Sequence, residues 1–187
     1  MLTNTLNQST GKEKLRVFSL NADIAACTRA KKVASAINRL AGPHWHCSSE
    51  VWKQEALTAS VSIKEMITLE GASVEVLIIA VSSLEQRPIN LIEWLDSLAT
   101  LEPDQSAPRL LIGLLGDDEN QALELDWTVK EMIRCAQKTN RDFIWHWMGE
   151  GAMDNLDWLN EDVELLLSRK RSLHEQMISW DTAAAVA

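Results

Sequence analysis

The chain has 187 residues, a length that suits one domain of ordinary size. Hydrophobic residues make up 46% and charged residues 24% of it, close to the average of soluble globular proteins, so neither a disordered chain nor a membrane protein is expected. The formal net charge of -9 repels phosphate backbones and anionic lipid surfaces, and we expect neither nucleic acid nor a membrane among the partners.

Cysteine usage and the N-terminal composition favour a cytoplasmic protein. Cys27, Cys47 and Cys135 are odd in number and have neither the spacing of a disulfide framework nor that of a zinc knuckle. Residues 1–13 are polar and lack the apolar stretch of a signal peptide, so they predict a flexible tail. A single α/β domain is expected over residues 14–180, with a second flexible tail at 181–187.

Strand and helix patterns alternate along this domain. Residues 15–20 (LRVFSL) form an apolar run that predicts the first strand, and Asn21-Ala22-Asp23 are residue types that end a strand and cap a helix. Residues 44–52 predict an edge strand because they carry few aliphatic side chains, whereas the apolar run in residues 73–81 predicts a strand at the sheet centre. The other predicted strands are 109–115 and 142–148, and the predicted helices are 24–40, 53–69 with a break within 58–62, 90–100, 123–139 and 155–179.

This alternation predicts a three-layer α/β/α sandwich around a five-stranded parallel sheet, with a long C-terminal helix. Ligands bind such sheets at the carboxyl ends of the strands, near the point where the strand order reverses. The candidate ligand-binding residues lie in the turns that follow predicted strands. They are Asn21, Asp23, Ser82, Ser83 and Asp117.

The layout resembles the flavodoxin-like architecture and, within it, the receiver domains of response regulators. The resemblance implies the strand order 2-1-3-4-5. The phosphorylation residues of a receiver are missing, however. Where a receiver has an acidic pair after the first strand, this chain has Leu20-Asn21-Ala22-Asp23, and where it has the phosphoacceptor aspartate, this chain has Ala80-Val81-Ser82-Ser83. Where it has a lysine after the fifth strand, this chain has Trp147-Met148. The likeness therefore implies a degenerate receiver, or pseudo-receiver, that is not phosphorylated.

Motifs for a cofactor, a metal or a nucleophile are weak. Neither GxGxxG after the first strand nor GxxxxGK[ST] occurs, and the first turn lacks the Ser, Thr and Gly run that holds a flavin phosphate, so no cofactor is expected. His44 and His46 would share one strand face while Cys47 points away, and His146 is expected on a distant strand, so no metal site is expected. Ser82 or Ser83 is placed for catalysis but stands outside a GxSxG elbow, which weighs against an enzyme without excluding one.

The last predicted helix has an acidic first half and a basic second half, a pattern that favours antiparallel pairing with a second copy. Its length of about 25 residues exceeds one face of a five-stranded sheet. Two arrangements therefore remain open: a homodimer interface, or a helix that folds back on its own domain. The interface residues would be Leu166, Leu173, Met177 and Trp180.

Two functions are compatible with these features. The first is a non-enzymatic, receiver-like signalling or scaffold domain that acts by contact with a protein partner, and it predicts a stable dimer. The alternative is a small-molecule-binding protein or enzyme with its site at the C-terminal ends of the strands, and it predicts a pocket there. The first is the one that we expect from the sequence.

Overall fold

A computed structural model describes residues 13–81, 89–101, 107–116, 122–149 and 155–184, with only the backbone described at 122–126 and 177–184. The strands are β1 (Glu13–Asn21), β2 (Trp45–Lys53), β3 (Val76–Val81), β4 (Leu110–Leu115) and β5 (Asp142–Trp147). The helices are α1 (Ile24–Ala41), α2 (Val61–Ser73), α3 (Ile89–Thr100), α4 (Ala122–Lys138) and α5 (Asn160–Ala184), and 3-10 turns occupy Gln54–Thr58 and Asp157–Leu159.

All five strands belong to one parallel sheet in the order β2-β1-β3-β4-β5. Strand β3 is the middle strand, and every residue in it is buried because helices cover both faces. Strand β2 lies at an edge, and most of its side chains are exposed. The predicted strand order and the predicted positions of these two strands are confirmed.

Each face of the sheet has its own hydrophobic core. Val76 and Ile78 point to the face covered by α1 and α5, whereas Leu77 and Ile79 point to the face covered by α2, α3 and α4, as the period of two residues along a strand requires. Trp94 is completely buried on the second face. The protein is therefore a three-layer α/β/α sandwich, as predicted.

The region between β2 and α2 breaks where the sequence predicts a break. Ser60 is the N-cap of α2, and its hydroxyl accepts a hydrogen bond from the Ile63 amide at 3.2 Å. At its other end α2 runs past the predicted terminus at Leu69 to Ser73, so the strand predicted from residue 73 begins only at Val76. Contacts of the last turn of α2 with Arg141, described below, stabilise this extension.

The long C-terminal helix is present, but it starts later than predicted. Asn155 Oδ1 accepts a hydrogen bond from the Asp157 amide at 2.8 Å, and a 3-10 turn follows before α5 begins at Asn160. Val163 and Leu166 then pack in the core beside α1. Over the residues that the structure describes, no helix has both the length and the apolar character needed to cross a bilayer.

Candidate functional site

The strand order reverses between β1 and β3. From β1 the chain crosses to β2 on one side, and β3, β4 and β5 then follow on the other side. The Ala22 amide donates a hydrogen bond to the Ala80 carbonyl at 2.9 Å, which extends the pairing of β1 with β3 beyond the last paired residues. The chain then turns into α1 at Ile24. The carboxyl ends of β1 and β3 therefore form the position where open parallel sheets bind ligands.

Asn21 is the last residue of β1, and its side chain is buried with 0% exposure. Its amide Nδ2 donates to the Trp52 carbonyl at 3.2 Å and to Ser19 Oγ at 3.3 Å. Its Oδ1 has no hydrogen-bond partner within the described residues. A buried acceptor without a partner costs about 1–3 kcal/mol, so this oxygen favours the approach of an N–H or O–H group.

Asp23 is the N-cap of α1. The backbone of this residue is extended, and Oδ1 accepts a hydrogen bond from the Ala26 amide at 2.8 Å. A carboxylate in this position interacts favourably with the positive end of the helix dipole. The carboxylate also takes up the Ala26 amide, which would otherwise be free to bind a ligand, and places a negative charge where an anionic ligand would bind.

The remaining candidate residues from the sequence are only partly accounted for. Ser82, Ser83 and Asp117 lie outside the described residues. Leu166 is 2% exposed in the core, where a second molecule does not reach it. Leu173 is half-buried, and the side chains of Met177 and Trp180 lie outside the described part of α5, so an interface formed by these three residues stays a prediction.

Aromatic rings cluster along β5 at the opposite edge from β2. His146 stacks on Trp158 with ring centroids 4.6 Å apart, and Trp145 meets Trp147 edge to face at 5.9 Å. Burial lowers the pKa of His146, which favours its neutral form. The alternating tryptophans of residues 142–148 are visible in the sequence, but only the fold shows that Trp158 packs on His146, on the opposite face of β5 from Trp145 and Trp147.

Metal binding finds no support in this arrangement. His46 lies on β2 and His146 on β5, at the two far edges of the sheet. Within the described ranges, no three His, Cys, Asp or Glu side chains lie close enough together to hold a metal ion.

A network of charged groups at the amino end of the sheet was missed in the sequence. Glu75 accepts hydrogen bonds from Lys170 Nζ and from the Arg16 amide, both at 2.8 Å. Burial raises the pKa of Glu75, but these hydrogen bonds and the two positive charges outweigh burial and lower it overall. Lys170 Nζ also lies 5.8 Å from the centre of the Trp45 ring. These contacts fix α5 over the start of the sheet.

Comparison with known proteins identifies the fold. No protein-family model matches the chain. No curated protein matches it significantly. Among solved structures, a short-chain flavodoxin associated with a PDU bacterial microcompartment matches with a TM-score of 0.52 and 11% identity, over 85% of this chain and 98% of its own. An oxidoreductase from Corynebacterium diphtheriae matches with a TM-score of 0.58 and 11% identity, over 84% and 98%. The fold is flavodoxin-like.

These neighbours correct the functional interpretation of the sequence. They are a flavodoxin and an oxidoreductase, and neither is a signalling receiver. The expectation of a non-enzymatic, receiver-like signalling domain is therefore wrong.

The first turn of this chain does not fit a flavin phosphate. Helix N-termini bind phosphate through free backbone amides, with Ser, Thr or basic side chains beside them. Here Asp23 takes up the Ala26 amide and adds a negative charge. Residues 21–26 (NADIAA) contain no Ser, Thr, Lys or Arg. A ligand bound at this turn would therefore have to lack an anionic group near the start of α1.

Proposed function

We propose that the chain is a small-molecule-binding protein or enzyme of the redox class, with its ligand at the carboxyl ends of β1 and β3. The observation that carries the proposal is the buried Asn21 carbonyl oxygen, which has no partner within the described residues and lies where the strand order reverses. The flavodoxin and the oxidoreductase among its structural neighbours support the redox class.

The chemistry of this turn restricts the ligand. Asn21 Oδ1 offers an acceptor to a ligand N–H group, and the Asp23 carboxylate disfavours a phosphate. An uncharged aromatic heterocycle with an N–H donor meets both conditions. Riboflavin is such a molecule, and FMN differs from it by the phosphate alone.

A titration with this pair of probes tests the proposal. Fluorescence of the isoalloxazine ring is followed as protein is added to riboflavin or to FMN. We expect the intact protein to bind riboflavin about fivefold more tightly than FMN, because a charge repulsion near a helix end is of the order of 1 kcal/mol. The Asp23→Asn variant keeps an N-capping side chain but loses the charge. It should therefore reduce the difference in affinity between riboflavin and FMN.

Asp157→Asn is the matched control, because it removes the same charge from an exposed carboxylate at a 3-10 turn elsewhere. It should leave the preference for riboflavin unchanged. Binding of neither probe would reject the isoalloxazine class of ligand. Tighter binding of FMN than of riboflavin by the intact protein would contradict the role given to Asp23.

A further inference from the structure

Strand β2 forms a long open edge of the sheet. It has nine residues, Trp45–Lys53, and pairs with β1 along its whole length. Among the described strands it has no neighbour on its other side. Strand β5, at the opposite edge, has only six residues. The outer side of β2 therefore presents a row of backbone donors and acceptors that a further strand can bind.

The contacts of β2 with β1 show which of its residues point outward. In a parallel pair, the backbone groups of successive residues point alternately to the two sides of the strand. The Trp52 carbonyl accepts a hydrogen bond from Asn21 Nδ2 of β1 at 3.2 Å, and the Glu50 carbonyl also accepts one from a side chain of β1. Even-numbered residues therefore bond towards β1, and odd-numbered residues direct their amides and carbonyls away from the sheet. In agreement with this, the Trp45 amide donates to the Gly42 carbonyl at 3.4 Å and not to β1.

The devices that usually protect a sheet edge are missing from β2. Native proteins protect edges with proline, bulges, lysine or a short strand. Strand β2 contains no proline, its continuous pairing with β1 leaves no bulge, and its single lysine, Lys53, is its last residue. Lys53 also balances the charge of Glu50. Two copies of β2 can therefore approach without net repulsion between the strands, although the chain as a whole has a net charge of -9.

We propose that β2 pairs antiparallel with β2 of a second copy of this chain, about a two-fold axis at Ser49, so that the two sheets join into one. Ser49 is the middle residue of β2, and this register therefore pairs all nine residues. Ser49 faces Ser49 of the second copy, and Cys47 faces Val51. All three residues direct their backbone groups outward, as the hydrogen-bonded pairs of an antiparallel ladder require. Val51 is an apolar side chain with 40% exposure, and Cys47 of the second copy would cover it.

The remaining pairs of this register are also compatible. Glu50 lies opposite Ser48, whose hydroxyl can donate a hydrogen bond to the carboxylate. His46 lies opposite Trp52, and aromatic pairs across two strands stabilise a sheet. Lys53 lies opposite the uncharged first residue of the strand. No two like charges within β2 face each other in this arrangement.

The neighbouring registers are less favourable. Opposite residues of an antiparallel pair must direct their backbone groups alike, so the axis can move only by whole residues. An axis at Glu50 places two carboxylates opposite each other, which is destabilising. An axis at Ser48 places Lys53 opposite Pro43, before the start of β2. Charge and length therefore both favour the register about Ser49, and this interface does not depend on the proposed redox ligand.

Sedimentation velocity of the full chain from about 1 to 500 μM tests for this dimer, because small interfaces associate weakly. We expect the dimer fraction to rise over this range. Val51→Lys places a lysine on the edge twice in each symmetric dimer and should weaken dimerisation at least about tenfold. Val61→Lys is the matched control, since it makes the same change at an exposed valine at the start of α2, and it should change the affinity less than about twofold.

A disulfide experiment measures the register and decides the matter if Val51→Lys does not fold. Opposite Cα atoms of a hydrogen-bonded antiparallel pair are about 5.5 Å apart, within the range of a disulfide. Ser49→Cys should therefore give a disulfide-linked dimer on mild oxidation. Glu50→Cys is the control, because it is equally exposed but faces Ser48 of the second copy, and it should not be linked. Peptide mapping by mass spectrometry distinguishes these links from any link through Cys47.

The proposal is overturned if the full chain stays monomeric over the whole concentration range, or if Val51→Lys and Val61→Lys weaken the dimer equally. It is also overturned if Ser49→Cys is linked no better than Glu50→Cys, because the dimer then uses another surface, such as α5.

Discussion

Replacing Arg141 by methionine removes a buried guanidinium that closes the end of a helix 70 residues away in sequence. Asn140, just after α4, has a φ of 50°, in the left-handed region that asparagine tolerates. The turn carries Arg141 under α2. There Nη2 donates to the carbonyls of Gly71 at 2.8 Å and Ala72 at 3.3 Å, and Nη1 donates to the Val74 carbonyl at 3.0 Å.

The size of the effect follows from these three acceptors. A buried acceptor that loses its donor costs about 1–3 kcal/mol. Two effects reduce this cost. Water hydrates some of the carbonyls that Arg141 no longer contacts, and the variant no longer buries a positive charge close to that of Arg109. We therefore expect Arg141→Met to lower the free energy of unfolding by about 3 kcal/mol, which is towards the lower end of the summed cost of three lost donors.

Urea unfolding at pH 7, followed by tryptophan fluorescence, measures this change. With a slope of about 2 kcal/mol per molar urea, the midpoint should fall by about 1.5 M. Arg134→Met is the control, because Arg134 lies on the same region of the chain but is exposed and pairs with Asp96 and Glu131 at the surface. Such pairs contribute about 0–1 kcal/mol. Equal midpoints for the two variants, or a gain in stability for Arg141→Met, would refute the reasoning.

Three further measurements follow from single sites. The pKa of Glu70 is raised by burial and then by a hydrogen bond to Glu50 and by the charge of Glu50. The folded state therefore binds a proton at Glu70 more tightly than the unfolded chain does, and the protein loses stability as the pH rises through this pKa. Glu70→Gln should therefore raise the melting temperature more at pH 8 than at pH 4, and an equal gain at both would contradict the sign. Gly71→Ala should destabilise the protein by about 1–3 kcal/mol in urea, because the new Cβ would lie 3.0 Å from a ring carbon of Trp94, and an unchanged urea midpoint would contradict this. Cys135 is buried and its pKa is raised, chiefly by burial, to about 11, so a disulfide reagent at pH 8 should label it only after unfolding, and rapid labelling of the native protein would show that the thiol is accessible.

Much of the fold was predictable because local patterns agree with it. The apolar runs of β3 and β4 belong to strands covered on both faces, and the low aliphatic content of β2 belongs to an edge. The break predicted within 58–62 is where the structure places Ser60 as the N-cap of α2. The order of the strands came from the resemblance to flavodoxin-like proteins and not from any local pattern.

Some helix and strand ends differ from their predicted positions because they depend on contacts between residues far apart in sequence. The last turn of α2 continues to Ser73 where the Arg141 guanidinium holds its carbonyls. Arg109 and Arg141 each precede a strand, and nothing in the neighbouring sequence distinguishes them from surface arginines. Their burial follows only from the packing of α2, α4 and α5 around the amino end of the sheet.

The candidate site was predictable in position but not in detail. Asn21 and Asp23 were selected because they follow the first strand, and the structure places them at the reversal of the strand order. The complete burial of Asn21, and the absence of a described partner for its Oδ1, depend on β2 and could not be inferred. The functional class was wrong because receivers and flavodoxins share one layout, so layout alone could not separate them.

The two ends of the sheet offer opposite electrostatic conditions. At the carboxyl end, Asp23 adds a negative charge to the start of α1, which otherwise attracts anions. At the amino end, where helix C-termini attract cations, Arg141 binds the carbonyls of α2 and Arg109 adds a charge that no described carboxylate balances. A ligand without an anionic group is thus expected at the carboxyl end. A preference for riboflavin that is the same in Asp23→Asn as in the intact protein would show that this carboxylate does not set the class of ligand there.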